Sequence, residues 1–232
     1  MTSTRSETYV SVSIKRFGNE GEPIVIIDGF YSDPDALVRQ SAASIFGPAG
    51  RHYPGQRASA PSAYLAERMS LLKDLLTDVF EAGKGAALVE CNFSVVTTRP
   101  EALTPIQRLP HFDSTDKSYL ALLHYLCPAD AGGTSFYRHC ATGYETVTED
   151  RLQPYTASLQ AEATRDGLPP AAYFSGSTHH FERIGSVEAA FNRMVIYRGY
   201  RLHSGDVLKP EQIGQPGADP RLTVNTFLKV RT

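Results

Sequence analysis

Cysteine is scarce in this 232-residue sequence: Cys91, Cys127 and Cys140 make an odd count, and no two stand as Cys-X-X-Cys. This argues against a disulfide framework and leaves the three as small buried apolar side chains. No apolar run approaches the roughly eighteen residues that cross a bilayer. The opening MTSTRSETYVSVSIKRFG lacks the apolar core of a signal peptide and reads as a mature cytoplasmic terminus. Basic excess is missing too: 23 Lys and Arg against 25 Asp and Glu give a net charge of −2, which is no footprint for nucleic acid. Internal repeats, low-complexity tracts and linkers are also lacking. What remains is one domain over residues 1–232, long enough to bury a substantial core.

Residues 9–15 alternate apolar and polar as a half-buried strand does, and PIVIID at 23–28 reads as a more buried one. Ser32-Asp33-Pro34 opens a helix expected to reach residue 45. Gly and Pro make 47–61 a loop. Leu65, Met69, Leu72, Leu76, Val79 and Phe80 recur at helical spacing over 62–81. Beyond Gly85, strand-like runs fall at 87–97, 119–126, 134–137, 144–148, 181–187, 193–197 and 221–230, with a short helix near 156–165. Many short strands separated by turns predict an antiparallel double sheet or barrel. The expected fold is mainly β with flanking N-terminal helices (α+β), residues 1–86 packing on a core of 87–232.

One constellation carries chemistry. In His111-Phe112-Asp113 the first and third residues of an extended segment point the same way, so both can grip one metal ion while Phe112 turns aside. His203, some ninety residues on, follows an apolar strand and completes a two-His-one-carboxylate set, the ligand set of non-heme iron(II) sites with open positions. Arg221 heads the last apolar strand, and Thr223 and Asn225 share its face. A guanidinium fork suits a carboxylate, and the threonine hydroxyl adds a hydrogen bond.

The set and order of HFD, SYLALLHYLCPADAGGTSFY, FNRMVIYRGYRLHSGD and DPRLTVNTFLKV resemble the iron(II)/2-oxoglutarate-dependent dioxygenase superfamily, its prolyl-hydroxylase-like branch in particular, over residues 87–230. The resemblance implies a double-stranded β-helix (jelly-roll) core, with His111, Asp113 and His203 as metal ligands. It also implies Arg221 and Thr223 on the far carboxylate of 2-oxoglutarate, with Asn225 touching co-substrate or substrate. Fe(II), 2-oxoglutarate and O2 would be the cofactor and co-substrates of a hydroxylase that releases succinate and CO2 from a small-metabolite or amino-acid-type substrate. Asp113, in place of Gly or Ala, leaves no vacant position for a halide. One departure stands out: His203 and Arg221 lie eighteen residues apart, a longer step than the family's usual one, so 207–220 reads as an insertion that could cover the entrance.

Other residues invite weaker readings. Tyr53 and Arg57, with Arg51 and His52 in HYPGQR, could meet a substrate carboxylate or phosphate, and His179 could reach a substrate from a loop near the mouth. His139, Cys140, His179 and His180 lack zinc-site spacing, and His124 reads as a core or sheet-face histidine. A jelly-roll binding protein without turnover and a cupin-type metalloenzyme are the rival readings. Neither needs the full set of His111, Asp113, His203 and Arg221. The expected partner is a small-molecule substrate, with no nucleic acid and no membrane, and a homodimer is allowed.

Overall fold

The structure is a computed structural model that describes residues 9–50, 52–215, 217 and 220–231. Its strands are β1 (Ser11–Arg16), β2 (Pro23–Asp28), β3 (Gly47–Pro48), β4 (Gly55–Ser59), β5 (Ala86–Val96), β6 (Tyr119–Tyr125), β7 (Thr134–His139), β8 (Phe181–Val187), β9 (Arg193–Arg198), β10 (His203–Gly205) and β11 (Leu222–Val230). In β2, β6 and β9 the residues Ile24, Ile26, Ala121, Leu123, Tyr125, Val195 and Tyr197 face one apolar cluster. Val25, Ile27, Leu120, Leu122, Met194 and Ile196 face another. A strand covered on both faces needs apolar residues at every position, which is why PIVIID, YLALLHY and RMVIYR are continuous runs.

Those three strands lie side by side in an eight-stranded antiparallel sheet ordered β1-β2-β9-β6-β11-β5-β4-β3, and a second sheet is ordered β10-β7-β8. One cluster fills the space between the sheets, with Phe136 and Val187 contributed by the smaller one. The other lies between the large sheet and the helices α1 (Pro34–Ala42) and α2 (Met69–Phe80), which bury Leu37, Leu72, Leu76 and Phe80. A third helix, α3 (Glu149–Asp166), covers Tyr137, Val147, Phe181 and Leu202 with Tyr155. Two facing antiparallel sheets with helices outside form the double-stranded β-helix core of a mainly β, α+β fold. Among the described residues no helix is long and apolar enough to cross a membrane.

Several sequence expectations need correction. α1 stops at Ala42, and residues 62–68 form a 3-10 run before α2 begins at Met69. The expected loop at 47–61 contains β3 and β4; β4 (GQRAS) has no apolar alternation because it takes its place through backbone pairing with β5. The expected strand at 144–148 makes only the isolated Thr146↔Arg201 bridge. The helix expected at 156–165 starts at Glu149. Pro154 reads as a breaker, yet it stands inside the helix, where it cannot bond to the carbonyl four residues back. Cys127 is buried as expected and Cys91 partly so, but Cys140 is exposed.

Glu145, in this segment, is bound on its side chain. Its carboxylate, 1% exposed, accepts from the Asn19 and Glu20 amides at 2.8 and 3.0 Å and from Arg138 Nε at 2.9 Å. The β1–β2 turn is thereby bound to the second half of the chain. Burial alone would push this carboxyl up; the hydrogen bonds and the Arg138 charge outweigh it and hold it below its ordinary value. The folded pKa therefore lies under the unfolded one. The stabilisation is complete above about pH 4.3 and drains away as the pH falls through the folded value. Glu145→Gln is expected to lower stability by about 2 kcal/mol at neutral pH and to flatten the acid limb of a urea-midpoint profile. An unchanged acid limb would refute this role.

Candidate metal centre

His111 and His203 are tied by their backbones before any ligand is considered. Each amide donates to the other's carbonyl at 2.8 Å, an isolated antiparallel bridge that brings the ring centroids to 4.4 Å. Asp113 is fixed by its amide, which donates to the Gly199 carbonyl at 2.7 Å. A Cβ on Gly199 would stand 2.8 Å from the Tyr119 ring, so only glycine lets that loop lie so close. His203 Nε2 comes within 3.6 Å of Asp113 Oδ2, and the three donor atoms of His111, Asp113 and His203 lie within 4.8 Å of one another.

The tautomer of His203 follows from its other nitrogen. Nδ1 faces the Arg201 carbonyl at 2.9 Å and must donate to it, which leaves the Nε2 lone pair aimed at the site. The carbonyl is held in turn: Arg201, 1% exposed, donates to Glu22 O at 2.6 Å and lies over the Phe136 ring. Burial pushes both imidazoles down to about 4, helped at His111 by the neighbouring His203, so both are neutral near pH 7. Burial also lifts Asp113 to about 6, against the opposing effects of His111 and Arg57. His111 and Asp113 are nonetheless exposed as residues, and only 16% of the Asp113 side chain is open. The enclosure is thus that of a pocket wall. Two neutral imidazoles and a carboxylate on one side of an open cavity fit a divalent first-row metal with free positions.

The cavity holds about 150 Å³ and is lined by all three donors together with Tyr53, Arg57, Thr134, Tyr173, Tyr197, Arg221 and Asn225. Arg221 is buried between strands: Nε and Nη2 donate to the carbonyls of Gly132 and Gly133 at 3.1 and 2.7 Å. Its guanidinium lies 3.4 Å from where a Cβ on Gly205 would be. Gly205 is two residues beyond His203 on β10, so the guanidinium lies against the strand that carries the histidine. Gly132 has φ +100, and a Cβ there would meet the Asp206 carbonyl at 2.0 Å. Gly132→Ala should therefore cost about 3 kcal/mol and loosen Arg221, visible as a lower unfolding midpoint; a midpoint within error of wild type would contradict this.

Tyr53 Oη, close enough to Arg221 to feel its charge, and Ser94 Oγ are both buried and face each other. Thr223, adjacent to Ser94 in the sheet, gives its hydroxyl to Asn225 Oδ1 at 2.7 Å and is not among the residues that line the cavity. Asn225 does line it. Arg57 enters from β4 with Nε buried and unpartnered and Nη1 at 3.4 Å from Glu90. His52 lines the cavity, while Arg51 lies outside the described residues. His179 is not a lining residue; it stands with Asp166 and His180. Within the expected insertion, Val207 reaches the cavity wall and residues 210–212 form a 3-10 turn.

Sequence reading missed Glu90, Asn92 and Ser94, which follow one another at every second position of β5. They share the inner face with Arg57 and Thr223, opposite Ser94 in the register, and Asn92 donates to Glu90 at 2.9 Å. Polar residues at alternate positions in ALVECNFSVV are the signal that could have found them. Tyr173 was missed for lack of any: it arrives from an irregular segment, held by its hydroxyl on Thr98 O at 2.6 Å.

Comparison with solved structures places the fold. The non-heme α-ketoglutarate-dependent epimerase SnoN from nogalamycin biosynthesis aligns with a TM-score of 0.51 at 14% identity, over 91% of this chain and 80% of its own. The carbocyclase SnoK from the same biosynthesis aligns at 0.51 and 11% identity, over 90% and 80%. SnoN in complex with Fe3+, α-ketoglutarate and nogalamycin RO aligns at 0.50 and 13%, over 90% and 79%. At such identities the likeness is one of fold. No curated protein matches the sequence. The profile described as "Family of unknown function (DUF6445)" matches residues 8–228, and the chain belongs to that family.

Proposed function

We propose that this chain is an iron(II)- and 2-oxoglutarate-dependent oxygenase of prolyl-hydroxylase-like type that hydroxylates a small metabolite or amino-acid-type substrate, with release of succinate and CO2. The observation that carries the reading is one cavity with His111, Asp113, His203 and the Arg221 guanidinium all in its wall. His111, Asp113 and His203 would hold Fe(II), which when bound with 2-oxoglutarate supplies the activation of O2.

The remaining work falls to this chain's own side chains. Arg221 keeps Nη1 free of protein acceptors among the described residues, so it can meet the far carboxylate of a five-carbon diacid whose other end lies at the metal. The Tyr53 hydroxyl, buried in the cavity wall, is a donor that the same carboxylate would satisfy. A cavity of about 150 Å³ is of the size that elsewhere holds benzene. Co-substrate alone largely fills such a space, so substrate approaches from the mouth, towards Arg57 in the cavity wall, whose Nη1 stands 3.4 Å from Glu90. A molecule bearing a carboxylate, an amine or both matches these two groups. Screening amino acids and small acids for succinate release above the uncoupled background tests the reading; a uniform background across acids, amines and zwitterions would refute the substrate class.

A further inference from the structure

The geometry points to a second divalent-cation site, of zinc type, formed by Asp166, His179 and His180 at the end of α3. It is independent of the cavity and of the function proposed for it. His180 Nε2 lies 3.3 Å from Asp166 Oδ2, and His179 Nε2 lies 3.7 Å from the same oxygen. A tetrahedral zinc with ligand bonds near 2.0–2.1 Å has neighbouring donors about 3.3 Å apart, so little movement closes the set, and water would take the fourth place.

The surroundings are those of a ligand histidine. His180 turns its other nitrogen, Nδ1, to Glu162 at 3.4 Å, and a carboxylate on the far nitrogen is the usual orienting partner of a metal-bound imidazole. Glu162 and Asp166 are four residues apart on α3 and so share a face. Glu162 is only 6% exposed, and its close partners are both imidazoles: His180, and His139 Nε2 at 3.1 Å. No Lys or Arg pairs with it among the described residues. A cation on His180 Nε2 would supply the charge that this buried carboxylate lacks. Arg165 also donates to Asp166, but it is 65% exposed and can swing aside. The histidine backbone is already placed, since the His180 carbonyl accepts from the Cys140 amide at 2.8 Å. A bound cation would fasten the segment carrying Tyr173 to α3 without touching His111, Asp113 or His203.

Zinc(II) titrated into chelator-stripped full-length protein, in competition with a chromophoric chelator, decides this. Wild type should take up two equivalents. The double variant His111→Ala/His203→Ala should keep one, and adding His179→Ala/His180→Ala should remove it. Glu162→Gln should weaken the second site by about 10–100-fold while leaving the first unchanged. A wild-type stoichiometry of one that survives His179→Ala/His180→Ala would overturn the inference.

Discussion

His203→Ala is expected to weaken Fe(II) binding by at least 100-fold, about 2.7 kcal/mol, and to reduce 2-oxoglutarate-dependent succinate formation to background. The loss should be large because His203 is the donor whose orientation the protein specifies most fully. Its Nδ1 is committed to the Arg201 carbonyl, and Arg201 is itself buried against Phe136 and the Glu22 carbonyl. A free imidazole could in principle turn away; this one cannot without abandoning a buried hydrogen bond. The fold should survive, since the two-bond bridge between residues 111 and 203 is made by backbone atoms that alanine retains. The variant should therefore show native circular dichroism with no iron in an anaerobic titration. Iron affinity within a few-fold of wild type would remove His203 from the centre.

The second large effect is expected at Arg221, with the opposite division between metal and co-substrate. Arg221→Lys should raise the KM for 2-oxoglutarate by about 100-fold, within the range for truncating one partner of a buried charge pair, and leave Fe(II) affinity within about threefold. The reason is geometric. Arg221 spends Nε and Nη2 on the Gly132 and Gly133 carbonyls and keeps a further nitrogen for a ligand. A lysine ammonium has the charge but not the planar fork, so it must choose between the turn and the carboxylate. A parallel loss of iron binding would instead mean that Arg221 supports the fold around β10 and not the co-substrate.

The core strands were legible because burial on both faces wrote itself into unbroken apolar runs such as PIVIID and RMVIYR. His111 and Asp113 were legible because a two-residue step in extended backbone is independent of context. Their closeness to His203 came only with the fold, which supplies the 111–203 bridge and the Gly199 carbonyl under Asp113. β4 was illegible because its place depends on β5, not on its own side chains, and with it went the position of Arg57. Thr223 shows the limit of pattern in the other direction: its strand face was read correctly, yet its hydroxyl is taken by Asn225 and it does not line the cavity, while Tyr53, singled out in HYPGQR, does.

The account rests on Fe(II) and 2-oxoglutarate sharing one cavity, and the visible spectrum of the anaerobic complex reads that directly. Adding 2-oxoglutarate to the Fe(II)-loaded protein without oxygen should produce the weak metal-to-ligand charge-transfer band of a chelated 2-oxo acid. The band should be lost in His203→Ala and should need far more 2-oxoglutarate in Arg221→Lys. A wild-type protein that binds Fe(II) yet shows no band at saturating 2-oxoglutarate, and forms no succinate when oxygen is admitted, would contradict it.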